Sequence, residues 1–344
     1  MRALVFTGPD QLEWQERVDP ALAGDDEAIV RPLAVATCDL DDLIVGGGSP
    51  FPAPFALGHE GVAEVVETGD AVTTVAPGDR VVIPFQISCG TCGACRQGRS
   101  GNCETVPMAA SYGFGFGPEA TRWGGFLADL VHVPYADAML IPIPDGLAAE
   151  AAAGLSDNIT DGYRTVGGPL AERPGAPVLV VGGAQSGSIG IYAAAQAIAL
   201  GSERVLYVDA DERRRAIAAA YGAETLDSVP EQLDDRFPIT VDASADPRGL
   251  ELALTSLDRD GVCTSTGVYF DPNAQARFPL LPMYVFATTF VTGRIHARRD
   301  APQALELLAD SRFDPKPATT RVVEFADAAE ALTAHDHVKL IFTP

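Results

Sequence analysis

The second half of the chain alternates short apolar runs with helical segments, and this pattern limits the fold more than any other feature. Apolar runs occur at 178–181 and 205–209, and further strand-like runs follow at 239–244 and 261–268. Strands that are apolar throughout must be covered on both faces, which is typical of a parallel sheet between two layers of helices. We therefore expect an α/β fold in this half of the chain.

Short β-like runs separated by Gly, Pro and Asp fill roughly the first 145 residues. No long helical period interrupts them, so they indicate a mainly β unit. The chain ends with a short helix and a last apolar run, HVKLIF, which we expect to pair with the first unit. The predicted organisation is a mainly β domain of residues 1–150 and 298–344 and an α/β domain of residues 151–297.

The chain carries a strong excess of acidic side chains, with 24 basic and 47 acidic residues and a formal net charge of −23. Such a surface repels phosphate backbones and anionic lipid head groups, so we expect neither nucleic acid nor a membrane as a partner. The N-terminal stretch becomes polar too early for a signal peptide. Because four of the six cysteines are clustered without a secretory signal, we expect a cytoplasmic protein.

The cysteine cluster has the spacing Cys89-x2-Cys92-x2-Cys95-x7-Cys103, in a loop that is rich in glycine. Four thiolates satisfy the tetrahedral coordination of Zn²⁺, and glycines let a short loop fold around the ion. A site closed by four protein ligands has no position for a substrate, so we expect a structural zinc in the loop of residues 89–103. Disulfides and an iron–sulfur cluster are the alternatives.

A second group of metal-ligand residue types is dispersed along the chain. Cys38 follows a strand-like run, and His59 and Glu60 lie in the segment LGHEGVAEVV. Taken singly, a lone cysteine is more often a small buried apolar residue, and a lone histidine is more often a hydrogen-bonded one. The residues alone therefore leave their role open.

The segment GHEGVAEVVETG, followed by PGDRV and the four-cysteine loop, resembles the zinc-dependent medium-chain alcohol dehydrogenases along essentially the whole chain. The resemblance implies a GroES-like catalytic domain and a doubly wound Rossmann domain. It also implies that Cys38, His59 and Asp157 hold a catalytic zinc, with Glu60 able to approach the metal, so that each chain binds two zinc ions. Three protein ligands leave the open fourth position that catalysis needs.

Two residues around the dispersed site are assigned by the same resemblance. Asp41 matches a carboxylate that hydrogen-bonds the zinc-binding imidazole and fixes its orientation. Lys339, near the C-terminus, is the candidate cation that balances the charge of Asp41. An exposed turn at DLDD is the alternative for Asp41.

A glycine-rich turn after the strand at 178–181 leads into a helix, which is an arrangement that binds pyrophosphate. Ala184 stands where the second glycine of the dinucleotide fingerprint belongs, so the spacing leaves open which glycine contacts phosphate. Asp209 ends the next strand, where an acidic residue binds ribose hydroxyls and repels a 2′-phosphate, which favours NAD over NADP. The candidate cofactor-binding residues are Gly182, Gly183, Gly187, Ile189, Gly190, Asp209, Arg214, Gly267 and Val268.

Phe85 matches a family position that lines the substrate pocket, and Trp123 is a further candidate wall, together with Tyr112, Phe114 and Phe116. The aromatic residues of this glycine-rich stretch could equally pack the loop itself. The sequence departs from the family at three positions. Leu40 replaces the hydroxyl residue that relays a proton, Asp39 stands where some relatives carry a basic residue, and Asp161 replaces a common threonine.

The function predicted from these features is reversible hydride transfer between a primary or secondary alcohol and NAD, with zinc as the catalytic metal. A carbonyl reductase of the same family and a catalytically decayed NAD-binding protein are the alternatives. The expected substrate is a small alcohol, aldehyde or ketone. The resemblance further implies a homodimer or homotetramer that assembles through the cofactor domain.

Overall fold

A computed structural model describes residues 1–183 and 187–344, which form two compact units. The first unit contains Met1–Thr160, Ile295–Asp310 and Thr319–Pro344, and the second contains Asp161–Arg294 and Ser311–Ala318. The sequence assigns residues 151–160 to the second domain, whereas by its contacts this stretch belongs to the first unit. The hydroxyl of Ser156 accepts from the N–H of Gly61 and donates to its carbonyl oxygen, which ties the stretch to a strand of the first unit.

The strands and helices are numbered separately in chain order. The strands are β1 (Arg2–Gly8), β2 (Gln11–Glu16), β3 (Ala28–Ala36), β4 (Phe55–Ala56), β5 (Glu60–Thr68), β6 (Arg80–Val82), β7 (Val131–Val133), β8 (Ile141–Pro142), β9 (Val178–Val181), β10 (Val205–Val208), β11 (Glu224–Leu226), β12 (Phe237–Asp242), β13 (Leu257–Ser265), β14 (Thr289–Thr292), β15 (Arg321–Glu324) and β16 (Leu340–Thr343). The helices are α1 (Asp39–Val45), α2 (Gly93–Arg96), α3 (Pro118–Thr121), α4 (Ala136–Met139), α5 (Ala149–Ala152), α6 (Asn158–Glu172), α7 (Ser188–Ala199), α8 (Glu212–Tyr221), α9 (Pro247–Thr255), α10 (Leu280–Phe286), α11 (Ala297–Ala309) and α12 (Ala328–Thr333).

The first unit is mainly β, as the sequence predicts. One sheet has the strand order β15-β16-β3-β5-β6-β8, with β7 paired to β3, and a smaller sheet has the order β2-β1-β4. The final strand β16 runs antiparallel to β3, with Ile341 opposite Ala36, so the expected return of the C-terminus to the first unit is confirmed. The neighbouring strands β3 and β5 position the dispersed metal-ligand residues, because Cys38 follows β3 and Glu60 begins β5.

The second unit contains a six-stranded parallel sheet of order β11-β10-β9-β12-β13-β14. In order of appearance these strands are 3-2-1-4-5-6, the order of a doubly wound dinucleotide-binding sheet. The apolar run at 178–181 forms β9 and is completely buried, because strands lie on both sides of it and helices pack against the sheet. The predicted α/β fold is confirmed, and its strand order reverses between β9 and β12.

None of the helices within the described part of the chain is long and apolar enough to cross a bilayer. The helix α6, for example, contains 15 residues and is shorter than a bilayer-spanning helix. At about 1.5 Å per residue it extends roughly 22 Å, which is less than the roughly 30 Å of the hydrocarbon core.

Candidate metal centres and cofactor site

The four clustered cysteines face one another in the first unit. One sulfur atom from each of Cys89, Cys92, Cys95 and Cys103 lies within 4.8 Å of the others, and all four thiols are free. The sulfur atoms of Cys92 and Cys103 are 4.0 Å apart, far beyond the roughly 2.05 Å of a disulfide bond. The loop is built from the short helix α2 and a 3₁₀ turn over Ser100–Asn102, which bring the outer cysteines together.

Backbone N–H groups point at these sulfur atoms and favour their ionised form. The sulfur of Cys89 accepts hydrogen bonds from the amides of Thr91 and Cys92, at 3.4 Å each, and lies 3.1 Å from the hydroxyl of Thr105. Burial alone would raise the pKa of Cys89, but these hydrogen bonds lower it to about 5. Burial and the neighbouring Cys92 raise the pKa of Cys95. The residues fit a zinc ion, which would compensate four thiolates held at this separation.

The dispersed residues also come together, in the first unit. Cys38, His59, Glu60 and Asp157 are buried, and one ligand atom of each lies within 4.8 Å of the others. The sulfur of Cys38 is 3.2 Å from Oδ2 of Asp157, and Nε2 of His59 is 3.5 Å from the same oxygen. In a tetrahedral zinc site, ligand atoms about 2.0–2.3 Å from the ion are about 3.3–3.8 Å apart, and both distances to Oδ2 of Asp157 are close to this range.

The geometry around Cys38 follows from the start of α1. Cys38 is the N-cap of this helix, and Oδ2 of Asp41 accepts a hydrogen bond of 2.7 Å from its backbone N–H. Oδ1 of Asp41 lies 3.5 Å from Nδ1 of His59, so a single carboxylate contacts two of the metal-ligand residues. Asp41 is only 4% exposed, which excludes the alternative of an exposed turn.

The position of His59 depends on Gly58, whose backbone passes close to the backbone of Leu127. Gly58 has a φ of +91°, and a Cβ atom there would lie 2.7 Å from the backbone nitrogen of Leu127. Any other side chain would therefore displace this segment, which leads directly into His59 and β5. Glycine is required here for both conformational and steric reasons.

The electrostatics of this site favour a bound cation. Burial raises the pKa of Cys38, and the carboxylates of Asp157 and Glu60 raise it further. Burial opposes protonation of His59, yet the charges of Asp41 and Asp157 outweigh it and raise the pKa of His59. Among the described residues, neither ring nitrogen of His59 has a hydrogen-bond partner. A buried imidazole with both nitrogens unsatisfied beside a thiol and a carboxylate fits a zinc-binding set.

Glu60 is held by two other groups. Its Oε2 accepts a 2.6 Å hydrogen bond from Nζ of Lys339, and its Oε1 accepts a 2.9 Å hydrogen bond from the backbone N–H of Asn158. Burial raises the pKa of Glu60 above its usual range, and the Lys339 ammonium acts in the opposite direction and favours the ionised carboxylate. The sequence interpretation paired Lys339 with Asp41, whereas the structure shows its ion pair with Glu60. Asn158 was missed, and its position directly after Asp157 was the available signal.

Two phenylalanines cover the imidazole. The ring centroids of Phe85 and Phe114 lie 5.7 Å and 4.9 Å from that of His59, both in edge-to-face arrangements. Trp123 lines a surface cleft of about 470 Å³ in the first unit, whose walls include His132 and Tyr135, and the Arg122 guanidinium lies 4.4 Å from its ring. The structure therefore places Phe85 in contact with the imidazole of His59, and a substrate-pocket role of Trp123 stays a prediction.

The candidate cofactor residues of the second unit surround the end of β9. Gly182 follows the strand, and a Cβ atom there would lie 2.4 Å from the hydroxyl of Tyr207 and 2.8 Å from Oδ2 of Asp209. Gly187 is the N-cap of α7 with a φ of +77°. Gly190 lies in the same helix, and a Cβ atom there would lie 3.3 Å from that of Ala243. These close approaches are typical of a glycine-rich dinucleotide turn, although Ala184 lies outside the described residues.

The Asp209 carboxylate has a complete set of hydrogen bonds. Oδ2 accepts from the hydroxyl of Tyr207 at 2.7 Å and from Nε of Arg214 at 2.8 Å. Oδ1 accepts from the backbone N–H of Asp211 and from a second nitrogen of Arg214, each at 2.8 Å. The bidentate pair with Arg214 compensates the charge of a completely buried carboxylate.

The remaining cofactor candidates include residues that are less buried than Asp209. Gly267 and Val268 follow β13, and Val268 is 51% exposed. Ile189 lies in the first turn of α7 and is half-buried. Asp161, which departs from the family pattern, forms an ion pair with Arg164 one turn later in α6, so its charge is compensated within the helix.

Comparisons with known proteins agree with these observations. Residues 24–145 match the family model of the alcohol dehydrogenase GroES-like domain. The chain is 30% identical to a probable zinc-binding alcohol dehydrogenase of Mycobacterium tuberculosis, over 96% of this chain and 84% of that relative. It is 34% identical to a glutathione-independent formaldehyde dehydrogenase of Pseudomonas aeruginosa, over 66% of this chain and 58% of that relative.

The fold is also similar to that of solved structures. An alcohol dehydrogenase from Thermus sp. ATN1 has a TM-score of 0.89 and 27% sequence identity, with 100% of this chain and 99% of that chain covered. A 2R,3R-butanediol dehydrogenase from Bacillus subtilis has a TM-score of 0.78 at 21% identity, with 100% and 99% covered, and shows the shared fold.

Proposed function

Because this chain belongs to the zinc-dependent medium-chain alcohol dehydrogenase family, we propose that it catalyses reversible hydride transfer between a small primary or secondary alcohol and NAD. The observation that carries the proposal is the buried set of Cys38, His59 and Asp157, with ligand atoms within 4.8 Å of one another. Three such ligands leave a fourth position for a substrate.

A zinc ion held by Cys38, His59 and Asp157 would supply a Lewis acid that acidifies an alcohol hydroxyl or polarises a carbonyl group. Asp41 accepts a hydrogen bond from the backbone N–H of Cys38, and its other carboxylate oxygen, 3.5 Å from Nδ1 of His59, would orient the imidazole when Nε2 binds the metal. Phe85 and Phe114 exclude water from one side of the imidazole, which strengthens electrostatic interactions there. Four further ligands, the clustered cysteines, would hold a structural zinc.

The second unit would bind the cofactor at the glycine-rich turn after β9, with the pyrophosphate near the start of α7. Asp209 supports a preference for NAD, because its buried carboxylate repels a 2′-phosphate. Arg214 moderates this preference, since its guanidinium already compensates the carboxylate. A KM for NADP below that for NAD would contradict the preference.

We further propose that the chain forms a homodimer or homotetramer through α10 and the sheet edge beside it. Leu280, Leu281, Tyr284 and Val285 on this helix are each more than 60% exposed. The strand β14 ends the six-stranded sheet, so its outer edge offers backbone groups for pairing with a second copy. Light scattering after size exclusion should give a multiple of 36.0 kDa, and Tyr284→Glu should shift the mass toward a monomer.

A cytoplasmic location is consistent with the cysteines. All six are free, and four of them are arranged as a metal-ligand set. Reduced thiols of this kind persist in a reducing compartment. Fractionation of cells that express the protein should place it with cytoplasmic markers.

The function is tested by metal analysis and a panel of primary, secondary, aromatic and polyol alcohols with NAD reduction followed optically. We expect two zinc ions per wild-type chain and activity on at least one class of alcohol. Asp157→Ala should bind only one zinc and lose activity. A wild-type protein with a single zinc and no activity would instead support a decayed NAD-binding protein, and activity confined to carbonyl reduction would support the reductase.

A further inference from the structure

The residues that follow two of the metal-ligand residues are bonded to each other. Nδ2 of Asn158 donates a hydrogen bond of 3.2 Å to Oδ1 of Asp39. Beside it, the sulfur of Cys38 lies 3.2 Å from Oδ2 of Asp157. The dipeptides Cys38-Asp39 and Asp157-Asn158 are therefore connected by two adjacent side-chain contacts, although 119 residues separate them in the chain.

Both partners of this hydrogen bond are buried. Asn158 is completely buried and Asp39 is 6% exposed. A carboxylate only accepts hydrogen bonds, whereas the amide of asparagine supplies two donors, so the pair is chemically complementary. A buried carboxylate is stabilised by each donor that it contacts, so the hydrogen bond from Asn158 favours the observed position of Asp39.

Asn158 also contacts the segment that contains His59 and Glu60. Its backbone N–H, the first of α6, donates to Oε1 of Glu60 at 2.9 Å, and Glu60 begins β5 directly after His59. A carboxylate near the first turn of a helix is further stabilised by the helix dipole. Through its side chain and its backbone, this single residue contacts the segments that contain Cys38 and His59, and it directly follows Asp157.

We propose that Asn158 is a positioning residue that, through its hydrogen bond to Asp39, fixes the separation of Cys38 and Asp157 for the catalytic zinc. The inference rests on the proposed zinc site. It accounts for the departure at position 39, since an acidic residue there has its own donor in this chain. The benefit is preorganisation, because ligands already held at the correct distance need not be ordered when the metal binds.

The test is a double-mutant cycle on zinc affinity, measured by competition with a chelator. Asn158→Asp places two carboxylates against each other and should weaken zinc binding about 10- to 100-fold. Asp39→Asn keeps an acceptor oxygen and should remain within about threefold of wild type. The double variant Asp39→Asn/Asn158→Asp restores the hydrogen bond with donor and acceptor exchanged, and should recover most of the lost affinity.

Cobalt substitution provides a second readout, since the Co²⁺ absorption bands report the ligand geometry. We expect altered bands in Asn158→Asp and wild-type bands in the double variant. Thr160→Val is the matched control, because it removes a different buried hydrogen bond from the same helix turn, to the carbonyl of Leu155. It should lower stability and leave zinc affinity unchanged. Retention of the cysteine-bound zinc shows that each variant is folded.

The outcomes separate the inference from the proposed function. Wild-type zinc affinity in Asn158→Asp, or a double variant that binds no better than Asn158→Asp, would overturn the inference. A wild-type protein that binds zinc only at the four cysteines would contradict the proposed function itself.

Discussion

Lys339 and Glu60 form an ion pair in the interior of the first unit, with Nζ 2.6 Å from Oε2 and both side chains almost completely buried. The pair connects the start of β5 with the residue that precedes β16, across 279 residues of sequence. Lys339 therefore couples the C-terminal strand to the surroundings of the dispersed metal-ligand residues. Removing one charge of a buried pair leaves the other uncompensated.

Replacing Lys339 by methionine should lower the free energy of unfolding of the first unit by about 3–5 kcal/mol, because Glu60 loses its cation. Denaturant unfolding can be followed by tryptophan fluorescence, since both tryptophans, Trp14 and Trp123, lie in the first unit. The only other lysine, Lys316, is exposed, and Lys316→Met is the control. Lys339→Met/Glu60→Gln should recover much of the loss. An unfolding free energy of Lys339→Met equal to that of Lys316→Met would contradict the prediction.

Cys95→Ser should remove one zinc per chain and leave the other in place. Serine is a much weaker ligand for zinc than a thiolate, and the remaining three cysteines would lose a closed coordination shell. The measurement is metal content after dialysis against a mild chelator. Cys263→Ala is the control, because Cys263 is buried in β13 of the second unit and outside both metal-ligand groups. Unchanged zinc content in Cys95→Ser would exclude the cysteine loop as a zinc site.

Asp137 should contribute stability at neutral pH that disappears in acid. Its carboxylate accepts hydrogen bonds from the backbone and hydroxyl groups of Thr73 and Thr74. Burial opposes ionisation, but these bonds lower the pKa of Asp137 to about 2. Since the folded-state pKa lies below the unfolded value of about 3.8, the stabilisation is complete above pH 4 and is lost as the pH falls toward 2.

Asp137→Ala should accordingly lower the unfolding free energy by about 1–3 kcal/mol at pH 7 and by clearly less at pH 3. Denaturation midpoints of variant and wild type at the two pH values provide the measurement. Asp70→Ala, at an exposed aspartate nearby in sequence, should have little effect at either pH. A destabilisation of Asp137→Ala that is the same at both values would argue against hydrogen bonding to the ionised carboxylate.

Arg214→Ala should increase discrimination against NADP. The guanidinium forms two hydrogen bonds of 2.8 Å with Asp209, and its loss leaves the carboxylate charge uncompensated against a 2′-phosphate. We expect the NAD-to-NADP ratio of kcat/KM to rise about tenfold, which corresponds to about 1.4 kcal/mol. Arg213→Ala, at the preceding and more exposed arginine, should leave the ratio unchanged. A fall in the ratio would show that Arg214 contributes more to NAD binding than to NADP binding.

Much of the architecture was predictable because it depends on local patterns. The apolar run at 178–181 became β9 with the same limits, and the last apolar run became β16. The cysteine spacing fixed which thiols could meet, since they lie within 15 residues. The grouping of Cys38 and His59 with Asp157 was anticipated only through the family resemblance, because no local spacing connects residues so far apart.

The partners of buried charges were less predictable. Lys339 forms its ion pair with Glu60, and the carboxylate of Asp209 accepts hydrogen bonds from Tyr207 and Arg214. Each of these contacts depends on which side chains the fold brings within a few ångströms of one another in the protein interior. That information is absent from hydrophobic periodicity, which reports only the faces of single elements.

The sequence by itself therefore determined the two fold classes, the return of the C-terminal strand and the residue types able to hold zinc, because periodicity and short spacings act within one segment. Only the tertiary structure decided that Asn158 bonds Asp39 and that Lys339 bonds Glu60. Burial excludes water as a partner, so each buried polar group must be satisfied by whatever the fold brings beside it.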